Sequence, residues 1–110
     1  MKQKEALAAL AALAQDTRLA IFRYLVVAGP GGAAAGEIAQ SLKVPAPTLS
    51  FHLKELEQAR LVSSQRESRS IIYSANYERM RGLLSFLMED CCRGRPEICS
   101  ITTKRKECAP

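Results

Sequence analysis

Pro47-Thr48-Leu49-Ser50-Phe51-His52-Leu53-Lys54-Glu55-Leu56 is the run that decides how the rest of the chain is read. Leu49, Leu53 and Leu56 recur at helical spacing and form one apolar stripe. Pro47 suits a first helical turn, where its missing N–H costs nothing. The spacing predicts a helix over 47–59. At about 100° per residue, the face opposite the leucines carries Ser50, Phe51, Lys54 and Glu55, with Thr48 near the N-terminal end. His52 lies nearer the stripe.

Outward from this helix the chain divides at its breakers. Upstream, Lys43-Val44-Pro45-Ala46-Pro47 is a tight connection from a short helix over 35–42, with Ile38, Ala39 and Leu42 inward. Before it, Gly29-Pro30-Gly31-Gly32 forms a loop. That loop ends a helix over 16–28, with Asp16 as the expected N-cap and Leu19, Ile21, Phe22, Leu25 and Val26 as its apolar face. A first helix covers 4–14, carrying Leu7, Leu10 and Leu13. Downstream, 61–66 and 69–74 alternate as strands, with Glu67-Ser68 expected as the hairpin turn. A last helix over 77–90 bears Met80, Leu83, Leu84, Leu87 and Met88. Gly94 and Pro96 stop it, and 97–110 has no periodicity.

The chain of 110 residues is one core-forming domain, expected over 1–92, with a cysteine-containing tail over 93–110. Its 16 Lys+Arg exceed 11 Asp+Glu, and +3 of the net +5 lies in that tail. A nucleic-acid reading must therefore rest on where charges sit rather than on their total. Ala12-Leu13-Ala14 has the form of a signal-peptidase site. Glu5 and the helical spacing of the leucines argue instead for an amphipathic helix. No run reaches the length of a membrane span, so a cytoplasmic protein is expected, without membrane association.

Helix–helix–hairpin–helix is the order of a winged helix-turn-helix, so the expected fold class is mainly α (α+β) with a two-stranded wing. In this geometry the N-terminal half of the second helix of the pair enters the major groove. Thr48 and Ser50 have hydroxyls for a base edge or a phosphate, and Lys54 suits a phosphate. Phe51 is placed to meet a thymine methyl. Arg66 and Arg69 flank the wing tip, where phosphate or minor-groove contact is expected. Each residue has a plainer reading. Thr48 and Ser50 can be capping or surface groups, Phe51 can be core, and the arginines can be solvated strand charges. His52 is either a satisfied, partly buried group or a DNA contact. The ordered arrangement carries more weight than any one of them.

All four cysteines, Cys91, Cys92, Cys99 and Cys108, fall in the last 20 residues. In a reducing compartment such clustering points to metal or redox chemistry more than to structural disulfides. Arg93 and Arg95 would lower the thiol pKa values. A vicinal pair followed by gaps of six and eight residues fits the usual chelate spacing of structural zinc badly. A trivalent metalloid, a thiol redox switch, a soft metal such as zinc or cadmium, and no sensory role all remain open on the residues alone. Enzymatic use of the thiols is disfavoured, because no His or Asp set stands ready to activate them. No catalytic cofactor is expected.

Asp16-Thr17-Arg18-Leu19-Ala20-Ile21-Phe22-Arg23-Tyr24-Leu25, the 47–56 run, and Leu61-Val62 followed by Arg66-Glu67-Ser68-Arg69 and Tyr73 together resemble ArsR/SmtB-type metalloregulators over about residues 5–90. The resemblance implies a homodimeric repressor, joined through its first and last helices, that binds double-stranded operator DNA. It implies release when a metal or metalloid binds. The pattern departs from the family in three places. The third helix, Gly36-Glu37-Ile38-Ala39-Gln40-Ser41-Leu42, has no cysteine pair. His52 is the only histidine, so the zinc set of the last helix is missing. Ala46 stands where the reading helix often has Gln before its Pro. The cysteine set resembles that of the arsenical repressor subgroup with vicinal cysteines at the end of the last helix and a third just beyond. It implies As(III) or Sb(III) as inducer at Cys91, Cys92 and Cys99.

Overall fold

The computed structural model describes residues 1–89. The elements are α1 (Gln3–Leu13), α2 (Asp16–Ala28), β1 (Ala33–Ala34), α3 (Ala35–Leu42), α4 (Ala46–Gln58), β2 (Val62–Glu67), β3 (Ser70–Ala75) and α5 (Tyr77–Leu87). This is the expected winged helix-turn-helix, mainly α, with the β2–β3 hairpin as the wing. The cysteines and the 93–110 tail lie outside the described residues.

Ile21, Leu25, Ile38, Leu49, Leu53, Leu56 and Leu61 are fully buried and form the centre of the core. Each such side chain contributes about 2 kcal/mol by leaving water. The α4 stripe thus packs as its spacing predicts. The first helix packs through small residues. It buries Ala6, Ala9 and Ala12 and turns Leu7 and Leu10 outward, at 58% and 40% exposure. Small residues let α1 lie close against α2, α4 and α5, while Leu7 and Leu10 stay exposed among the described residues. Leu19 on α2 and Leu84 and Leu87 on α5 are also exposed.

Caps set the helix bounds. Gln15, rather than Asp16, is the N-cap of α2; its side chain accepts from the Arg18 N–H at 2.9 Å. Asp16 falls inside the first turn, where a carboxylate favours the helix dipole. Glu37 accepts from the Ala34 N–H at 3.1 Å at the start of α3. Asn76 caps α5 by accepting from Arg79 N–H at 3.1 Å. The α4 helix ends in a Schellman motif: Leu61 N–H reaches Leu56 O at 3.0 Å and Arg60 N–H reaches Glu57 O at 2.9 Å. Arg60 takes the left-handed conformation that motif needs, with φ 64°.

The sheet holds a third strand that the hydrophobic pattern does not announce. Its order is β1-β3-β2, all antiparallel, with Ala33 opposite Tyr73 and Ala34 opposite Ile72. Two residues are too short to show alternation. Gly32 makes the pairing possible: its φ is 70°, and a Cβ there would overlap the carbonyl of Tyr73. The wing turn is also one residue later than expected. Glu67 pairs with Ser70, so Ser68 and Arg69 form the tip, and Ser68 carries the positive φ of 58°.

Candidate nucleic-acid interface

The interface is built on α4. With Leu49, Leu53 and Leu56 locked inward, Thr48, Ser50 and Lys54 are exposed together with Phe51, which is 56% exposed. No acidic residue occupies the first turn of this helix, so its free N–H groups face solvent without a carboxylate to neutralise them. That end is suited to an anion such as phosphate.

His52 departs from the rest of the set. It is buried, at 7% exposure, and its Nδ1 accepts a hydrogen bond from Arg18 Nη1 at 3.3 Å. This places the ring proton on Nε2. Burial holds the imidazole below its ordinary pKa, and the Arg18 charge acts in the same direction, opposed by Glu55. Of the two readings of His52, the structure favours the satisfied core group over the groove contact. His52 lies one helical turn from both Leu49 and Leu56, on the buried face, so its ring is packed rather than presented.

Phe51 leans on that buried ring. The two ring centroids are 5.3 Å apart at 65°, an edge-to-face contact. The exposed aromatic therefore has a fixed support behind it. Arg18 in turn donates from Nε to Ala12 O at 2.7 Å, which joins the last turn of α1 to the middle of α4.

The wing carries Arg66 and Arg69 into solvent, Arg69 at the tip and Arg66 opposite Ile71 in the β3 register. Ser64 Oγ donates to Glu57 Oε2 at 2.7 Å, tying β2 to the end of α4. Arg18, Glu57 and Ser64 were not singled out from the sequence. Their contacts join positions 34 and 7 residues apart, and no local periodicity reports them.

Residues 13–65 match the helix-turn-helix domain family. The chain is 30% identical over 89 residues to the HTH-type transcriptional regulator YgaV of Escherichia coli K12, covering 81% of this chain and 88% of that one. An ArsR-like transcriptional regulator from Rhodococcus sp. RHA1 superposes with a TM-score of 0.72 at 25% identity, over 91% of this chain and 92% of that one. The chain belongs to the ArsR family of transcriptional regulators. Another structural neighbour is the homodimeric winged helix-turn-helix DNA-binding domain of Mb0332 from Mycobacterium bovis. It has a TM-score of 0.65 and 26% identity, covering 79% of this chain and 80% of that one.

α4 is the second helix of the helix-turn-helix, the element that in such motifs lies in the major groove. No helix among the described residues is long and apolar enough to cross a membrane. Among the described residues no three His, Cys, Asp or Glu side chains come together as a metal site. The expected ligands Cys91, Cys92 and Cys99 lie outside the described residues.

Proposed function

We propose that this ArsR-family chain acts as a homodimeric repressor on a roughly twofold-symmetric operator, and that trivalent arsenic or antimony, bound by Cys91, Cys92 and Cys99, releases it. The observation that carries the DNA part is the exposed run of Thr48, Ser50, Phe51 and Lys54 on a helix whose other face is locked into the core. The two reading helices of the dimer would lie about one DNA turn apart, on the order of 34 Å.

Dimerisation is supported by the outward leucines. Leu7 and Leu10 on α1 and Leu84 and Leu87 on α5 stay exposed among the described residues, although α1 and α5 touch each other. An apolar groove lined by Leu13, Leu19, Phe22, Met80, Leu83 and Leu84 runs beside them. Changing Leu7 and Leu84 together to Glu should give a folded monomer in sedimentation equilibrium, with operator affinity lost. A double variant that stays dimeric would refute this interface.

The sensing part rests on donor chemistry. Three thiolates suit a soft trivalent ion whose lone pair favours a pyramid. Binding at these cysteines, which follow α5 in the chain, would bias the dimer between two arrangements of its DNA-binding units. A coupling of about 1–3 kcal/mol changes affinity about 5–150-fold. The test is fluorescence anisotropy on operator DNA, titrated with arsenite, antimonite, zinc and peroxide. Wild type is compared with Cys91→Ser, Cys92→Ser, Cys99→Ser and Cys108→Ser. Arsenite should release the wild type and the Cys108 variant only. Release by zinc or peroxide, but not arsenite, would replace the metalloid reading with a soft-metal or redox sensor.

A further inference from the structure

We propose that Arg18 and His52 are positioning residues for DNA binding, a rigid link that sets the reading helix, and with it Phe51, against the first helix. The inference rests on the dimeric DNA-binding reading above. A single guanidinium makes both bonds. Its Nε donates to Ala12 O in the last turn of α1 at 2.7 Å, and its Nη1 donates to His52 Nδ1 in the middle of α4 at 3.3 Å. The planar fork of Arg holds its two acceptors in a fixed relation that a flexible ammonium cannot reproduce. The far side of the link is Phe51, whose ring meets the imidazole edge-to-face at 5.3 Å. A continuous set of contacts therefore runs from the helix with the outward leucines, through Arg18 and His52, to an aromatic ring on the reading face.

The link has a consequence for the dimer. When α1 lies at the interface, the angle between α1 and α4 determines the separation of the two reading helices. A stiff connection makes the dimer strict about half-site spacing. A loose one lets each winged unit swing to accept a wrong spacing, at some loss of affinity for the right one.

The test uses the full chain and a duplex selected by the wild-type protein from a random-sequence pool. Versions with the half-site spacing changed by one base pair either way are then compared. The wild type should lose about tenfold on either change. Arg18→Met and His52→Leu, checked for folding by circular dichroism, should bind the correct spacing about fivefold more weakly. Their penalty for wrong spacing should shrink to about twofold, the signature of a freed hinge. His52→Asn keeps an acceptor near the Nδ1 position and should keep the wild-type penalty. If the two apolar variants fold poorly, Arg18→Lys, which keeps the charge but not the fork, should show the same relaxation. Folded Arg18→Met, His52→Leu and Arg18→Lys proteins with the full wild-type penalty would overturn the proposal. A wild type that selects no duplex, or shows no preference in spacing, would overturn the dimeric DNA-binding reading itself and the link's role with it.

Discussion

Ser64 on the first wing strand donates its hydroxyl to the Glu57 carboxylate at the end of α4, at 2.7 Å. The wing is thus tied to the reading helix by a side-chain bond as well as by the backbone that joins them. Glu57→Ala and Ser64→Ala should each lower stability by about 0.5–1 kcal/mol, because the bond is charge-assisted but exposed. The double variant should cost little more than either single one. Urea unfolding of the four proteins checks the cycle. Additive losses would mean that the bond contributes nothing.

Gly32→Ala should be the most damaging small substitution in the described structure. A Cβ would collide with the Tyr73 carbonyl, and the φ of 70° disfavours any L side chain. The expected loss is about 2 kcal/mol or more, seen as a lower Tm. By contrast Arg60→Gly relieves a left-handed residue at the end of α4 and should stabilise by about 1 kcal/mol. A reversal of these two signs in thermal melts would contradict the described backbone.

The exposed cations and the aromatic ring should separate in their signatures on DNA. Lys54→Ala and Arg69→Ala should weaken binding evenly across sequences and reduce the salt slope by about one each, as lost phosphate contacts do. Phe51→Ala should leave the salt slope unchanged and cost about 1–2 kcal/mol. That cost should disappear when thymines of the half-site are replaced by deoxyuridine. A Phe51 variant equally weakened on both duplexes would rule out methyl recognition.

Stability should fall in mild acid through His52. Burial and the Arg18 charge hold its folded pKa below the ordinary value of 6.5, with Glu55 on the same helix opposing them. As pH drops through the unfolded value, the unfolded chain takes up the proton first. The stabilisation present above that value is lost on the way down to the folded pKa. Comparing urea unfolding at pH 7.5 and 5.5, wild type should lose more stability than His52→Asn. Equal losses would show that the imidazole does not titrate in the expected direction.

The regular parts of the fold were legible because each buries a simple pattern. The bounds of α2 and α3 agree with the breakers around them, and Leu49, Leu53 and Leu56 are buried as their spacing requires. The misreadings have local causes. β1 is two alanines long and owes its pairing to a glycine beside it rather than to any alternation. The wing register turned on which residue accepts a positive φ, and Ser68 did so without the Asn-Gly pair that usually marks a turn. In α1 the spacing of Leu7, Leu10 and Leu13 fits either a core face or a dimer surface; close helix packing takes Ala6, Ala9 and Ala12 inward and leaves Leu7 and Leu10 exposed. Thr48, Ser50, Phe51 and Lys54 could be placed from periodicity alone, whereas the Arg18–His52 contact arises only once α2 and α4 are packed. The cysteines were read on donor chemistry, and their arrangement lies outside the described residues.

The alanine face of α1 has one more consequence. Because α1 anchors itself through Ala6, Ala9 and Ala12, its exposed Leu7 and Leu10 add little to the packing of the described residues. The proposed dimer, joined through those leucines, would then separate without uncovering the alanine face that holds α1 in place. Subunits of such a dimer would be traded between pairs, and the abundance of the protein would become an input to operator occupancy alongside any chemical signal.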